Sequence, residues 1–174
     1  MKLVVIGANG KVGTELCFLL KDKVDITPIV RNRLGAIFLK HNGFTCCIAD
    51  ISREQDAEEN LRDVDVVVIA AYATDLFSGS QNQTTKLINE KLIKNSVRFS
   101  SKNAVIIYFS TIRAFSHKID PSTSRWSYRR YDKEKQHLER LLLSECRKRK
   151  KRGFPLRIGH VFGDNQPNTK EIKK

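Results

Sequence analysis

The chain has 174 residues, 40% of them hydrophobic, enough for one domain with its own core. No apolar run approaches the ~20 residues of a bilayer-spanning helix, and the first residues read as a strand rather than a secretory leader. The four cysteines, Cys17, Cys46, Cys47 and Cys146, show neither CxxC nor metal-ligand spacing, and the four histidines are scattered. A membrane protein, a disulfide framework and a metal site are therefore excluded as readings, and a globular protein of the reducing cytoplasm is expected.

In chain order, residues 3–6 form an apolar run of strand character, and Gly7, Gly10 and Gly13 punctuate the turn that follows. Leu16, Leu19 and Leu20 then recur at helical spacing. Residues 24–30 (VDITPIV) read as a second strand, with Pro28 implying an irregular or edge position. A helical segment over 34–41 leads through Gly43 to a strand over 44–49. Ser52 and Gln55 have the spacing of a capping box for the polar helix that runs to about Arg62. Residues 64–71 (VDVVVIAA) are the most strand-like in the chain. Beyond a polar loop at 75–80, the spacing of Leu87, Ile88, Leu92 and Ile93 predicts a helix over 81–97. A strand over 104–109 (AVIIYF), a Ser/Thr/Pro-rich loop at 116–127 and a long helix to about Lys151 come next. Gly153 and Pro155 then separate that helix from a last strand over 156–162.

Six strands alternating with five helices predict a doubly wound parallel sheet in three layers, with ligands at the carboxyl ends of the strands. The glycine turn suits an anion, because the first amides of a helix lack intrahelical partners and glycine lets a pyrophosphate approach. The spacing is GxxGxxG, and a turn with no ligand is the plain alternative. The second strand ends at Arg31 instead of an acidic residue. A guanidinium there suits a 2′-phosphate and favours NADP over NAD, with Lys11 and Arg33 adding positive charge; an ordinary exposed arginine is the alternative. At the end of the third strand, Asp50 can accept from an adenine amino group and the Ile51 amide can donate to the ring, unless Asp50 only caps a helix. Ala70, Ala71 and Tyr72 end the fourth strand, where small residues let a cofactor lie against the backbone. Ser110 and Thr111 end the fifth.

Tyr131 and Lys135 stand four apart and share one helix face, which Leu138 and Leu142 continue, so that face should turn inward. An ammonium beside a phenol favours the phenolate and would lower its pKa from about 10. Tyr131 can then exchange a proton with a substrate hydroxyl, Thr111 bonding the same oxygen. The alternative is a surface arrangement with Lys135 paired to Glu139.

Taken together, GANGKVG at 7–13 (with Asn9, Lys11 and Val12), Asp50 and Ile51, VDVVVIAA, Asn82 opening the fourth helix, FST at 109–111, YDKEK at 131–135 and LRIGHVFG at 156–163 resemble the extended or atypical short-chain dehydrogenase/reductases, the NAD(P)-dependent epimerase/dehydratase family. The resemblance runs from Lys2 to Gly163. It implies a Rossmann domain over 1–163 that binds NADP or NAD, a tail over 164–174, and Thr111, Tyr131 and Lys135 as the catalytic set, with Lys135 also holding the cofactor ribose. It implies oxidation, reduction, epimerisation or dehydration of a small-molecule substrate, a nucleotide sugar among the candidates. Ile158 stands where the family usually has proline, and Thr85 and Lys86 replace a Gly-Thr pair. Family members continue for about a hundred further residues that build a substrate lobe, short or absent here. A second chain completing the sheet, or a homo-oligomer, is one expectation; a non-catalytic dinucleotide-binding protein is the alternative.

The net charge of +13 includes six consecutive basic residues at 147–152. They read first as a solvated helix end that complements the dipole, and second as a surface for a polyanion such as nucleic acid.

Overall fold

Short runs rich in valine and isoleucine form the sheet, because β-branched side chains pack well on a pleated surface covered on both faces. The computed structural model describes residues 1–74, 83–115 and 126–159. Within them the order is β1 (Lys2–Ile6), α1 (Lys11–Leu20), β2 (Asp25–Val30), α2 (Arg33–His41), β3 (Cys47–Ile48), α3 (Glu54–Leu61), β4 (Val66–Ile69), α4 (Gln83–Phe99), β5 (Val105–Thr111), α5 (Trp126–Lys148) and β6 (Arg152–Ile158). Every pairing is parallel and the strand order is β3-β2-β1-β4-β5-β6. This is the expected Rossmann-type α/β fold. Alternate residues serve opposite layers: Val4, Ile6, Val67, Ile69 and Ile106 pack with α3, α4 and α5, while Leu3, Val5, Val30 and Val68 pack with α1 and α2. The order reverses between β1 and β4, so the crevice at their carboxyl ends is the switch point of the sheet.

Several elements depart from the sequence reading. β3 has two residues in place of six, because the Phe44 amide bonds the Leu39 carbonyl at the end of α2 and its ring packs edge-on to Phe18. That short partner also accommodates Pro28. The Ile29 carbonyl accepts the Gly7 amide beyond β1, so Pro28 turns its ring nitrogen to the opposite side, before β3 begins. The Ser52–Gln55 capping box does not form. Ser52 donates its hydroxyl to Asp50 at 2.7 Å, Gln55 bonds Glu59, and α3 begins at Glu54 with no side-chain cap. Glu54 and Asp56 face the positive end of its dipole instead.

Leu19 and Leu87, expected on buried faces, are exposed, and the inward positions fall to Gly13 and Cys17 on α1 and to Thr85 and Asn89 on α4. Gly153 and Pro155 lie inside β6 rather than before it. A Cβ at Gly153 would come within 2.7 Å of the Cys146 sulfur, so glycine lets α5 pack on the strand. Pro155 is tolerated because β6 is an edge among the described residues. Within the basic run, Lys151 is not solvated as expected: its ammonium donates to the Val97 and Ser100 carbonyls at 2.7 Å each, at the negative end of α4. The loops at 75–80 and 116–125, Asn82, and 160–174 with the end of the last predicted strand lie outside the described residues.

Arg157 holds β6 to α5 by three hydrogen bonds to Glu139, at 2.7, 2.9 and 3.2 Å. Burial pushes the Glu139 carboxyl up, but the bonds and charge of Arg157, together with smaller contributions from Ser110 and Lys135, hold the group below the usual glutamate value. The pair therefore stabilises the fold above the pKa of an unfolded glutamate, and loses that effect as pH falls through the lower folded value. Arg157→Met should cost about 2 kcal/mol of unfolding free energy near neutral pH. In denaturant titrations the deficit should shrink as Glu139 protonates.

Candidate functional site

At the end of β1 the backbone reverses at Gly7, whose φ of +81° favours glycine. A Cβ there would lie 2.7 Å from the Ala71 backbone, and one at Gly13 would lie 2.4 Å from the Gly7 carbonyl. The glycines thus let β1, β4 and α1 converge. Gly10 amide donates to the Gly7 carbonyl at 3.0 Å and occupies the N-cap of α1 with no side chain to cap it. The first-turn amides of Lys11 and Val12 consequently have no intrahelical acceptor, at the positive end of the helix dipole. Thr14 closes the turn by donating its hydroxyl to the Ala8 carbonyl.

This turn forms one wall of a cleft of about 280 Å³. Gly7, Asn9 and Gly10 line it beside Arg31, Asp50, Ala70, Ala71 and Tyr72. Eight of the sequence-predicted cofactor residues are thus brought to one space, from strands β1 to β4. Lys11, Val12 and Gly13 stand behind them in α1, and Ile51 is buried beneath Asp50. Asp50 does not cap α3: its Oδ1 accepts the Ser52 amide and hydroxyl, which fixes the carboxylate at the cleft edge. Asn95 holds the next residue by donating to the Ile51 carbonyl at 2.9 Å. Asn32 caps α2, leaving Arg31 exposed at the cleft rim.

Next to the Tyr72 side of the cleft, Leu138 and Leu142 are buried, and the α5 face they continue turns inward as the spacing predicts. Lys135 is 4% exposed. Its ammonium donates to the Phe109 carbonyl at 3.0 Å and lies 4.3, 4.6 and 5.7 Å from the ring centres of Tyr72, Tyr108 and Tyr131. The surface pairing of Lys135 with Glu139 is absent, since Glu139 binds Arg157. Burial pushes Lys135 down to about 8, opposed by the charges of Glu134 and Glu139. Tyr131 meets Tyr72 edge-on, 5.3 Å between ring centres.

The expected lowering of the Tyr131 pKa does not occur in this state. Burial, joined by the Asp132 carboxylate, pushes the phenol up, and Arg113 only partly offsets this. Thr111 ends β5 half-buried and accepts the Arg113 amide; among the described residues it makes no hydrogen bond to Tyr131. It is tied to α5 indirectly. Arg113 pairs with buried Asp132 at 3.3 Å, and Gln136 donates to the Ala114 carbonyl at 2.7 Å. Sequence reasoning missed these ties, and also Asn89 and Glu134, which join the cleft wall to α5. A polar residue at an inward position of an otherwise helical pattern was the available signal for Asn89.

The fold agrees with that of known proteins. A family model described as NAD(P)H-binding matches residues 7–145. No curated protein matches the sequence. Among solved structures, the chain is similar to UDP-N-acetylglucosamine 4-epimerase from Bacillus cereus, with 23% identity and a TM-score of 0.71 over 95% of this chain and 63% of that one. It is similar to UDP-glucuronic acid 4-epimerase from Bacillus cereus in complex with NAD (20%, TM-score 0.72, 97% of this chain and 58% of that one). Yeast methylglyoxal/isovaleraldehyde reductase complexed with NADPH gives 17% identity and a TM-score of 0.74 over 94% of this chain and 59% of that one. The chain spans about three fifths of the length of these structures, and at such identities the likeness establishes the fold. The family match rests on the sequence itself and covers the glycine turn, the cleft and most of α5: the chain belongs to the NAD(P)H-binding family.

Proposed function

We propose that this chain carries the cofactor-binding and proton-transfer machinery of an oxidoreductase or epimerase, using NADPH in preference to NADH, on a hydroxyl or carbonyl carbon of a small substrate. The observation that carries the reading is Tyr72. It lines the cleft, and its ring also touches both Lys135 and Tyr131, so cofactor site and proton-transfer pair are one continuous surface.

In this reading the amides of Lys11 and Val12 bind the pyrophosphate, with Gly7, Asn9, Gly10 and Gly13 shaping the approach. Arg31 takes the 2′-phosphate, Asp50 the adenine amino group and the Ile51 amide the ring. Ala70 and Ala71 present only methyl groups to the bound cofactor. The cofactor supplies hydride chemistry when bound. Tyr131 keeps its proton in the free protein and delivers it to a carbonyl oxygen, or recovers it from a hydroxyl in the reverse direction. Lys135 stabilises the phenolate so formed and turns towards the ribose hydroxyls. Thr111 donates to the same substrate oxygen. The substrates named for the similar epimerase and reductase make a nucleotide sugar or a small aldehyde the first to try, and a dehydratase outcome remains within the same chemistry.

A second reading, a non-catalytic dinucleotide-binding protein, is favoured by one observation: the Lys135 ammonium is already engaged by the Phe109 carbonyl. Tyr131→Phe separates the two. With an enzyme, cofactor affinity should stay within about twofold while turnover of NADPH against aldehydes or nucleotide sugars falls at least ~10²-fold. If no cofactor binds at millimolar concentration, the proposal fails.

Two further outcomes are expected. Arg31→Ala should lower the NADPH-over-NADH affinity ratio about tenfold or more, loss of one charged hydrogen-bonding partner for the phosphate. Equal loss for both cofactors would remove the 2′-phosphate assignment. Lys135 has a folded pKa below its ordinary 10.5, so below about pH 8 the fold bears the full cost of a buried cation. Lys135→Met should therefore stabilise the free protein at pH 7 by up to about 3 kcal/mol. In thermal melts across pH 7 to 10.5, that gain should diminish as the wild-type amine loses its proton.

A further inference from the structure

Asn89 sits on α4, 2% exposed, and spends its whole carboxamide on two other elements. Its Oδ1 accepts the Ala73 amide at 2.8 Å. Its Nδ2 donates to the Ala73 carbonyl at 3.1 Å and to Glu134 Oε1 at 2.9 Å. Both acceptors of Nδ2 can only accept, so the carboxamide has a single consistent orientation. Glu134, itself 7% exposed, is the α5 residue immediately before Lys135. Ala73 immediately follows Tyr72 and lines the cleft with it.

A residue needed only to fill this space would be apolar, as Leu92 is on the same helix, because burying a carboxamide or a carboxylate is costly unless every polar atom is bonded. What the pair accomplishes is linkage. β4 ends at Ile69, the Ala70 and Ala71 amides still donate to the Ile6 carbonyl of β1, and Ala73 lies two residues beyond that last bond. Asn89 supplies Ala73 with the donor and acceptor that a neighbouring strand would have offered, and Glu134 locks Asn89 to the helix bearing Tyr131 and Lys135. Two other buried carboxylates of that helix are committed elsewhere: Glu139 to Arg157, and Asp132 to Arg113.

We propose that Asn89 and Glu134 form a positioning clamp that sets the Tyr72–Ala73 wall against Tyr131 and Lys135, so that the nicotinamide half of the cofactor meets a preformed surface. This rests on the cofactor orientation of the preceding section, with the adenine half at Arg31 and Asp50. Neither clamp residue reacts: Asn89 lines the cleft beside Ala73 and holds it in place, and Glu134 acts through Asn89 and the helix that bears Lys135. To the clamp Glu134 contributes an oxygen, which a glutamine would also provide; its charge, which offsets part of the burial of Lys135, is a separate contribution.

The test compares Asn89→Leu, Glu134→Leu, Glu134→Gln and the double leucine variant, each titrated with NADPH by fluorescence and with adenosine 2′,5′-bisphosphate by calorimetry. Asn89→Leu and Glu134→Leu should each weaken NADPH about tenfold or more, as loss of a buried hydrogen-bonded group implies. Both should hold adenosine 2′,5′-bisphosphate within about twofold, because that probe occupies only the adenine half. Glu134→Gln should keep NADPH binding clearly tighter than Glu134→Leu, and the double variant should be no weaker than the worse single one, as for a unit. Unchanged NADPH affinity in either leucine variant overturns the clamp, and so does parallel loss of both ligands, which would mark a merely structural role. Failure of the wild-type chain to bind NADPH is a different result: it removes the cofactor reading and the clamp with it.

Discussion

A single buried ammonium organises the interior of this domain. Lys135 lies under α5 with 4% of its surface exposed, and an unpaired cation there would be costly. Its Nζ is held by the Phe109 carbonyl and by the faces of three tyrosines, from β5, α5 and the end of β4. Phe109 and Tyr108 come from β5, which packs against α5, Tyr131 from α5 itself, and Tyr72 from the segment that follows β4. Burial still wins over these partners, and the amine is left near pH 8. That compromise is unstable enough to be useful: a ligand offering better acceptors than one carbonyl would draw the ammonium towards itself.

The opposite end of the cleft has the complementary deficit. Helix α1 begins with amides that no side chain caps, and Arg31 stands exposed at the rim. In the proposed reading, donors without acceptors at the glycine turn and a buried cation behind Tyr72 suit a long anionic ligand with hydroxyl groups at its far side, which is the shape of a dinucleotide. The close packing of Gly13 on the Gly7 carbonyl is what makes this possible, because any Cβ would push α1 away from β1.

Between the two ends the layer of α3, α4 and α5 is more polar than a simple core. Thr85, Asn89, Asn95 and Ser96 are buried on α4, and Asp132, Glu134 and Glu139 on α5. Asn95 holds the turn after β3, Asn89 the segment after β4, and Glu139 the edge strand through Arg157. Each of these reaches a strand end or strand edge where backbone or charge would otherwise lack a partner. The polar residues are therefore placed where the sheet runs out, and the apolar ones where it is continuous.

The sequence alone determined the alternation of strands and helices, the glycine turn, the acidic residue and arginine at the strand ends, and the inward face of Tyr131 and Lys135. All are local: they follow from hydrophobic period, from residue spacing on one helix, and from the conformations open to glycine. What only the tertiary structure decided depends on partners far apart in the chain. Phe44 deserted β3 because the end of α2 needed its amide, Ser52 gave up a helix cap for Asp50, and β6 absorbed Gly153 and Pro155 because α5 and an open edge allowed it. The charge state of the Tyr131–Lys135 pair was decided in the same way. Proximity in sequence suggested a lowered phenol pKa, but the depth of burial and the neighbouring Asp132 raise it, and burial is a property that no four-residue spacing contains.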